Sequence, residues 1–193
     1  MRYASGQKEL TRQKMVDTAA LVLRRDGIAA AGVATLMAEA GLTNGAFYAH
    51  FDSKEALVAE AVVAALKETA ATLARTVAET AEGHRLDALI DRYLDARHAA
   101  HPERGCAVTA LGPELARRPP ETRAAVGAAI DDLIGVIVSA LPPGHRDPLA
   151  AGRAVFGCMV GTLQLARVAE PGAQADILRG GAAAARLLGR PAG

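Results

Sequence analysis

At 193 residues the chain can bury a sizeable core, as one large domain or as a small domain joined to a larger one. Apolar residues make up 51% and aromatics only 3%, with few β-branched runs, so the composition predicts an all-α protein and speaks against a sheet fold. The net charge is +1, from 22 basic and 21 acidic side chains, so no global excess marks a nucleic-acid binder; yet in residues 1 to 25 Arg2, Lys8, Arg12, Lys14, Arg24 and Arg25 face only Glu9 and Asp17, a local excess able to neutralise phosphates.

The opening MRYASGQKEL lacks the apolar stretch of a signal peptide, and no later segment has about 18 uninterrupted apolar residues, so a cytoplasmic protein with no membrane contact is expected. Cys106 and Cys158 are then both thiols rather than a disulfide scaffold. Residues 1 to 7 offer no periodic apolar face and read as a mobile arm. From 8 to 26, Met15, Val16, Ala19, Ala20 and Leu23 recur at helical spacing, and Gly27 suits the left-handed position that ends a helix.

A short second helix over 33 to 40 buries Val33, Leu36 and Met37, with Gly32 as a weak start and Gly41 as the turn after it. Thr43 caps a third helix of barely two turns, Asn44 to His50. Phe47, Tyr48 and Phe51 are half of the chain's aromatics, three Phe and three Tyr with no Trp, and so short a helix needs them to pin it. Asp52 or Ser53 caps a long fourth helix reaching about residue 81, roughly 42 Å in length, with Asp52 and Glu55 at capping-box spacing. Five further helices are predicted over 85 to 100, 106 to 117, 120 to 141, 148 to 169 and 173 to 189, about nine in all, with Pro113 expected to kink or split the second of these.

The short helix, glycine turn and second short helix have the layout of a helix-turn-helix reader of DNA. Residues 41 to 57 resemble the TetR family of bacterial transcriptional repressors in Ala40, Gly41 and Leu42 at the turn, in Thr43, Gly45, Phe47 and Tyr48, in Phe51, and in Ser53, Lys54, Glu55 and Leu57. The nine-helix layout is similar to that family across nearly the whole chain. The resemblance implies a three-helix DNA-binding domain over residues 1 to 52 and an effector-binding and dimerisation domain over 53 to 193. It also implies a homodimer that binds a palindromic operator and lets go when a small molecule enters the larger domain. The chain departs from the family pattern at Asn44, Ala46 and His50, which leaves the docking mode intact and the operator sequence open.

Reading DNA requires neutralised phosphates and side chains that match base edges. Thr43, Asn44 and Ala46 are the candidates for base edges, since Asn can bond adenine bidentately and an alanine methyl can touch a thymine methyl. Gly45 and His50 complete the expected surface, while Tyr48 and Lys54 are expected on the phosphates. Phe47, Phe51 and Leu57 read as core.

In the larger domain, Gly152, Gly157, Gly161, Gly180, Gly181 and Ala184 mark surfaces where helices approach closely. With Val155, Met159, Leu163, Ile177, Leu178 and Leu188 they predict a dimeric four-helix contact. A ligand cavity is expected among residues 85 to 169, with Tyr93, Arg97, Cys106, Thr109, Phe156, Met159 and Gln164 as its candidate residues. Displacement of the 106 to 117 segment would swing the long fourth helix and change the spacing of the heads.

Cys106 follows Gly105 at a helix start, and with Leu111, Glu114 and Leu115 this stretch resembles a family branch that includes oxidant and electrophile sensors, against which stands the commoner inert, buried cysteine. His98, His101 and Cys106 have no fourth partner, so neither a metal nor a cofactor is predicted. No phosphate loop, nucleophile elbow or HExxH helix argues for an enzyme. A helical interaction protein that no longer binds DNA is the remaining class.

Overall fold

The alanine- and leucine-rich composition is realised as helix. A computed structural model describes the backbone of residues 2 to 191 and the side chains of residues 6 to 191, with ten α-helices, two 3-10 turns and no strand among those residues. The helices are α1 (Arg2–Asp26), α2 (Val33–Glu39), α3 (Asn44–Tyr48), α4 (Lys54–Ala78) and α5 (Arg85–Tyr93). They continue as α6 (Ala96–Ala100), α7 (Ala107–Leu115), α8 (Pro120–Ala140), α9 (Pro148–Val168) and α10 (Gln174–Leu188).

Helix α1 starts at Arg2, so residues 2 to 7 are helical rather than the arm expected there; Met1 lies outside the described residues. Once the turns after Lys8 exist, each residue added at the end gains a hydrogen bond at little cost, and no packing partner is needed. The other end of α1 is as expected: Gly27 takes φ +87° and its amide returns to the Leu23 carbonyl at 2.9 Å. Gly41, at φ +64°, makes the turn between α2 and α3, and Leu42 N–H closes it on the Met37 carbonyl at 2.8 Å.

The caps are local and legible. Thr43 accepts from Ala46 N–H at 3.3 Å and Ser53 from Ala56 N–H at 3.1 Å, whereas Gly32 gives α2 no side-chain cap. The capping box expected between Asp52 and Glu55 does not form, because Glu55 turns to Arg118 and to the Thr122 hydroxyl, 2.6 Å away. Helix α4 is 25 residues, about 37 Å, and ends at Ala78, a turn earlier than expected. Its residues Leu57, Val58, Ala61, Leu66 and Leu73 belong to one core that is continuous from the N-terminal helices to α10.

Two helices differ from expectation for identifiable reasons. The predicted helix over 85 to 100 is split: Leu94 leaves helical geometry and Asp95 caps α6, its carboxylate accepting from Arg97 N–H at 2.7 Å. Helix α7, by contrast, is continuous through Pro113. Proline removes the N–H that would bond the Thr109 carbonyl one turn back, and the Gln164 side-chain amide of α9 donates to that carbonyl instead.

Helices α8, α9 and α10 pack tightly at two of the predicted glycines. A Cβ on Gly181 would stand 2.1 Å from the Thr162 hydroxyl and one on Gly152 would stand 2.7 Å from Val138. Gly157, Gly161 and Gly180 have nothing within 4 Å and lie on an open face. Helix α9 is long and apolar enough to cross a bilayer by composition, but Val155, Phe156, Met159, Leu163 and Ala166 are buried within the fold.

Candidate nucleic-acid interface and ligand cleft

The turn at Gly41 and the Thr43 cap aim α3 outward while Phe47 anchors it. Phe47 is buried, stacks on Phe51 at 5.9 Å between ring centroids and meets the Tyr48 ring edge-on at 5.1 Å. With the aromatic core below, Thr43, Asn44 and Gly45 are exposed, and Tyr48, one turn on from Asn44, is 72% exposed. Ala46 is half-buried against the core. This is a tip of about one and a half helical turns, made of small and uncharged groups with one tyrosine at its edge.

His50 and Lys54 sit differently from the tip. His50 follows the α3 cap, its ring half-buried and its Nδ1 without a hydrogen-bond partner. Lys54, half-buried, donates to the Ile28 carbonyl at 2.7 Å, which uses one of its three N–H donors to tie α4 to the loop after α1.

Tertiary partners also claim much of the N-terminal positive charge. Arg12 bonds the His50 carbonyl, pairs with Glu60 and lies 4.0 Å over the Phe51 ring. Arg25 pairs with Asp26 at 2.7 Å and with Glu39 at 2.5 Å. Arg24 is buried: Nε donates to the Ala20 carbonyl at 2.8 Å and a terminal nitrogen to the Gly105 carbonyl at 2.7 Å. Lys8 and Lys14 remain exposed and join no ion pair among the described residues, and Lys14 stands beside the Gly41 turn. The Arg2 side chain lies outside the described residues. Phosphate contact from α1 therefore falls to fewer groups than the count of charges implies.

A cleft of about 560 Å³ opens in the larger domain, within the range of small-molecule sites. Helix α4 supplies Glu68, Thr69, Thr72 and Leu73, and the end of α5 supplies Arg92 and Tyr93. The opposite wall is α6 and the turn after it, from Asp95 and Arg97 to Arg104, Gly105 and Cys106. Of the residues expected to bind ligand, Tyr93, Arg97 and Cys106 border this cleft. Thr109, Phe156, Met159 and Gln164 do not: the first three are core, and Gln164 serves α7 as described. The α4 wall is not among the expected ligand residues; Glu68, Thr69 and Thr72, polar groups at helical spacing, are the signal in the sequence that marks it.

His98 organises the cleft's inner edge. Its Nδ1 meets the Tyr93 carbonyl at 2.7 Å and its Nε2 accepts from Cys106 N–H at 2.9 Å. That acceptor role requires a neutral ring with the proton on Nδ1, and burial holds the His98 pKa below its ordinary value of 6.5. Both ring nitrogens are thereby engaged, which removes His98 from any metal grouping with His101 and Cys106. A side chain at Gly105 would clash with the ring, since a Cβ there would lie 2.4 Å from it. The Tyr93 hydroxyl is buried beside Cys106 and Thr109 without a hydrogen-bond partner, and its pKa is pushed up by burial. Cys106 is fully buried, a setting that shields a thiol from reagents.

The cleft is joined to the first helices at two points. Arg24 of α1 holds Gly105, and Glu114 of α7 accepts from Ala29 N–H at 3.0 Å just after α1 ends. A second cleft, of about 520 Å³, lies beside Leu86, Leu141 and Arg186.

Comparisons with known proteins place these features. The family model described as bacterial regulatory proteins, tetR family, matches residues 15–61, and the tetracyclin repressor-like C-terminal domain matches residues 82–179. No curated protein sequence matches the chain. Among solved structures, a TetR transcriptional regulator of Chloroflexus aurantiacus J-10-FL is 25% identical with a TM-score of 0.76, covering 97% of this chain and 96% of its own. The reduced form of E. coli NemR is 18% identical with a TM-score of 0.78, over 92% of this chain and 96% of its own. FadR of Bacillus subtilis, in complex with stearoyl-CoA, is 16% identical with a TM-score of 0.71, over 91% and 96%.

Proposed function

The chain belongs to the TetR family of DNA-binding transcriptional regulators, and on that premise we propose that it is a repressor that grips a palindromic operator as a homodimer and releases it when a small molecule occupies the α4–α6 cleft. The observation that carries the ligand-release reading is the join between cleft and head: the Gly105 carbonyl is held by Arg24 of α1. A ligand that displaces the turn at Gly105 and Cys106 pulls on α1 and, through Glu114, on the loop that follows it. Such a ligand must bind the DNA-incompetent state more tightly. That FadR of B. subtilis holds stearoyl-CoA in a chain of the same fold supports the effector half of the reading. The buried Cys106 thiol favours a bound effector over redox sensing.

At the operator, Asn44, Ala46 and Thr43 read base edges, Gly45 lets the backbone approach, and Tyr48, His50 and Lys54 stand toward the phosphates. Two heads would address half-sites about 34 to 36 Å apart or a multiple of that. The protein is read as a regulator of the cytoplasm, not an enzyme.

Selection of bound fragments from random duplex DNA by the full chain tests the proposal. A two-fold symmetric sequence should be enriched, and on it Asn44→Ala should relax one base position at a cost of about 1–3 kcal/mol. Tyr48→Phe should weaken binding uniformly across sequences, and Lys54→Ala should flatten the salt dependence. Failure to enrich any sequence overturns specific DNA binding and leaves the helical interaction protein.

A further inference from the structure

The charges around the cleft define the chemistry of its occupant. Arg92, Arg97 and Arg104 border it, and none of the three joins an ion pair among the described residues. Arg75, Arg85, Arg117, Arg123, Arg146 and Arg190 also join no ion pair among the described residues, so what marks the cleft is that three such groups border one cavity. The cleft contains two carboxylates, Glu68 and Asp95, and Asp95 is already committed to capping α6. Behind the wall lie two more guanidinium groups, Arg167 donating to the His98 carbonyl at 3.0 Å and Arg24 donating to Gly105. Like charges converging on a cavity with low-dielectric walls focus a positive potential into it.

The groups behind the rim have a different character. Leu73, the Tyr93 ring and Cys106 border the cleft but are almost fully buried, so apolar groups back it while its exposed rim is cationic. Guanidinium forks match carboxylate and phosphate oxygens bidentately, and the cleft has room for a ring or short chain attached to them. We infer that the cleft binds an organic anion, its carboxylate or phosphate held by Arg97 and Arg104 and its organic body lying in the cleft between α4 and α6. This rests on the cleft being the effector site and names the chemical class of that effector. Arg104 immediately precedes Gly105, so an anion that draws in its guanidinium acts on the turn that Arg24 holds.

Calorimetric titration of the full chain decides it, with benzoate, hexanoate and phenyl phosphate against their neutral counterparts benzamide, hexanamide and phenol. At least one anion should bind about tenfold or more tightly than its neutral counterpart. The exposed substitutions Arg97→Gln and Arg104→Gln should together erase that margin, while Arg123→Gln, away from the cleft, leaves it intact. Equal affinities within every pair, no binding by any anion, or an unchanged margin in the Arg97→Gln, Arg104→Gln protein would overturn the assignment. The same preparations are taken through the DNA selection. An enriched operator without anion binding removes only the ligand class, whereas anion binding without an enriched operator removes the regulator reading and leaves the site standing.

Discussion

Gln164 shows how much one side chain can carry when a helix contains a defect. Pro113 deprives the Thr109 carbonyl of its helical donor, Thr109 is buried, and the Gln164 amide supplies the bond. Gln164→Ala should therefore cost about 1–3 kcal/mol in urea unfolding, the penalty for a buried acceptor left unpaired. Pro113→Ala restores the backbone donor, so in that background the loss should shrink. Strictly additive effects in the double-mutant cycle would reject the link.

His98 makes a second prediction at this scale. Because its folded pKa is depressed, the unfolded chain binds the proton first; stability is complete above the ordinary value of 6.5 and is lost as pH falls toward the folded pKa. Thermal unfolding followed from about pH 8 down to about pH 5 should decline more steeply for the wild type than for His98→Gln. Parallel profiles would show that the ring does not titrate with folding.

At the scale of elements, the fold depends on a few long-range ties between the head and the larger domain. Arg24 and Glu114 attach the two ends of the segment from Gly105 through α7 to α1 and its loop, and Glu55 at the start of α4 is held by Arg118, just before α8, and by Thr122 in its first turn. The Arg118 pairing keeps the Glu55 carboxyl below the ordinary carboxylate range. Arg24→Met keeps the buried stem and removes the bond to Gly105. Hydrogen exchange should then quicken at the amides of Cys106 and Ala107 and stay unchanged in α10. Unaltered exchange around Cys106 would mean that Arg24 does not hold the turn.

For the whole molecule, an exposed apolar face runs along α9 and α10. Gly157, Gly161, Leu165 and Val168 fall on one face of α9, and Gly180, Ala184 and Leu187 on one face of α10. Leu165, Val168 and Leu187 are 61%, 81% and 63% exposed, and the glycines leave room for close approach. A second copy covering this face would complete the four-helix contact of the proposed dimer. Leu165→Glu should shift the sedimenting species from dimer to monomer with helix content unchanged. A monomeric wild type, or a dimer indifferent to this substitution, would place the two-fold axis elsewhere.

What the sequence determined by itself is what neighbouring residues settle among themselves. The all-helical class, the glycine turns at Gly27 and Gly41, the caps at Thr43 and Ser53 and the aromatic anchor of α3 depend on backbone bonds and side chains a turn or so apart. The turn, cap and anchor of the helix-turn-helix were therefore legible, down to the exposed Asn44 and Tyr48, although α3 ends at Tyr48 rather than His50 and α1 begins at Arg2. Tertiary structure decided everything that needs a distant partner. It removed Arg12, Arg24 and Arg25 from the cations free for DNA, drew Glu55 out of a capping box, and made Gln164 a brace rather than a wall of the cleft. It also put α4 opposite α6 to make that cleft. Arg24 meets Gly105 across 81 residues and Gln164 meets Thr109 across 55, and only the packing of whole helices brings such groups together, because nothing in a local pattern encodes which polar group will bury beside which.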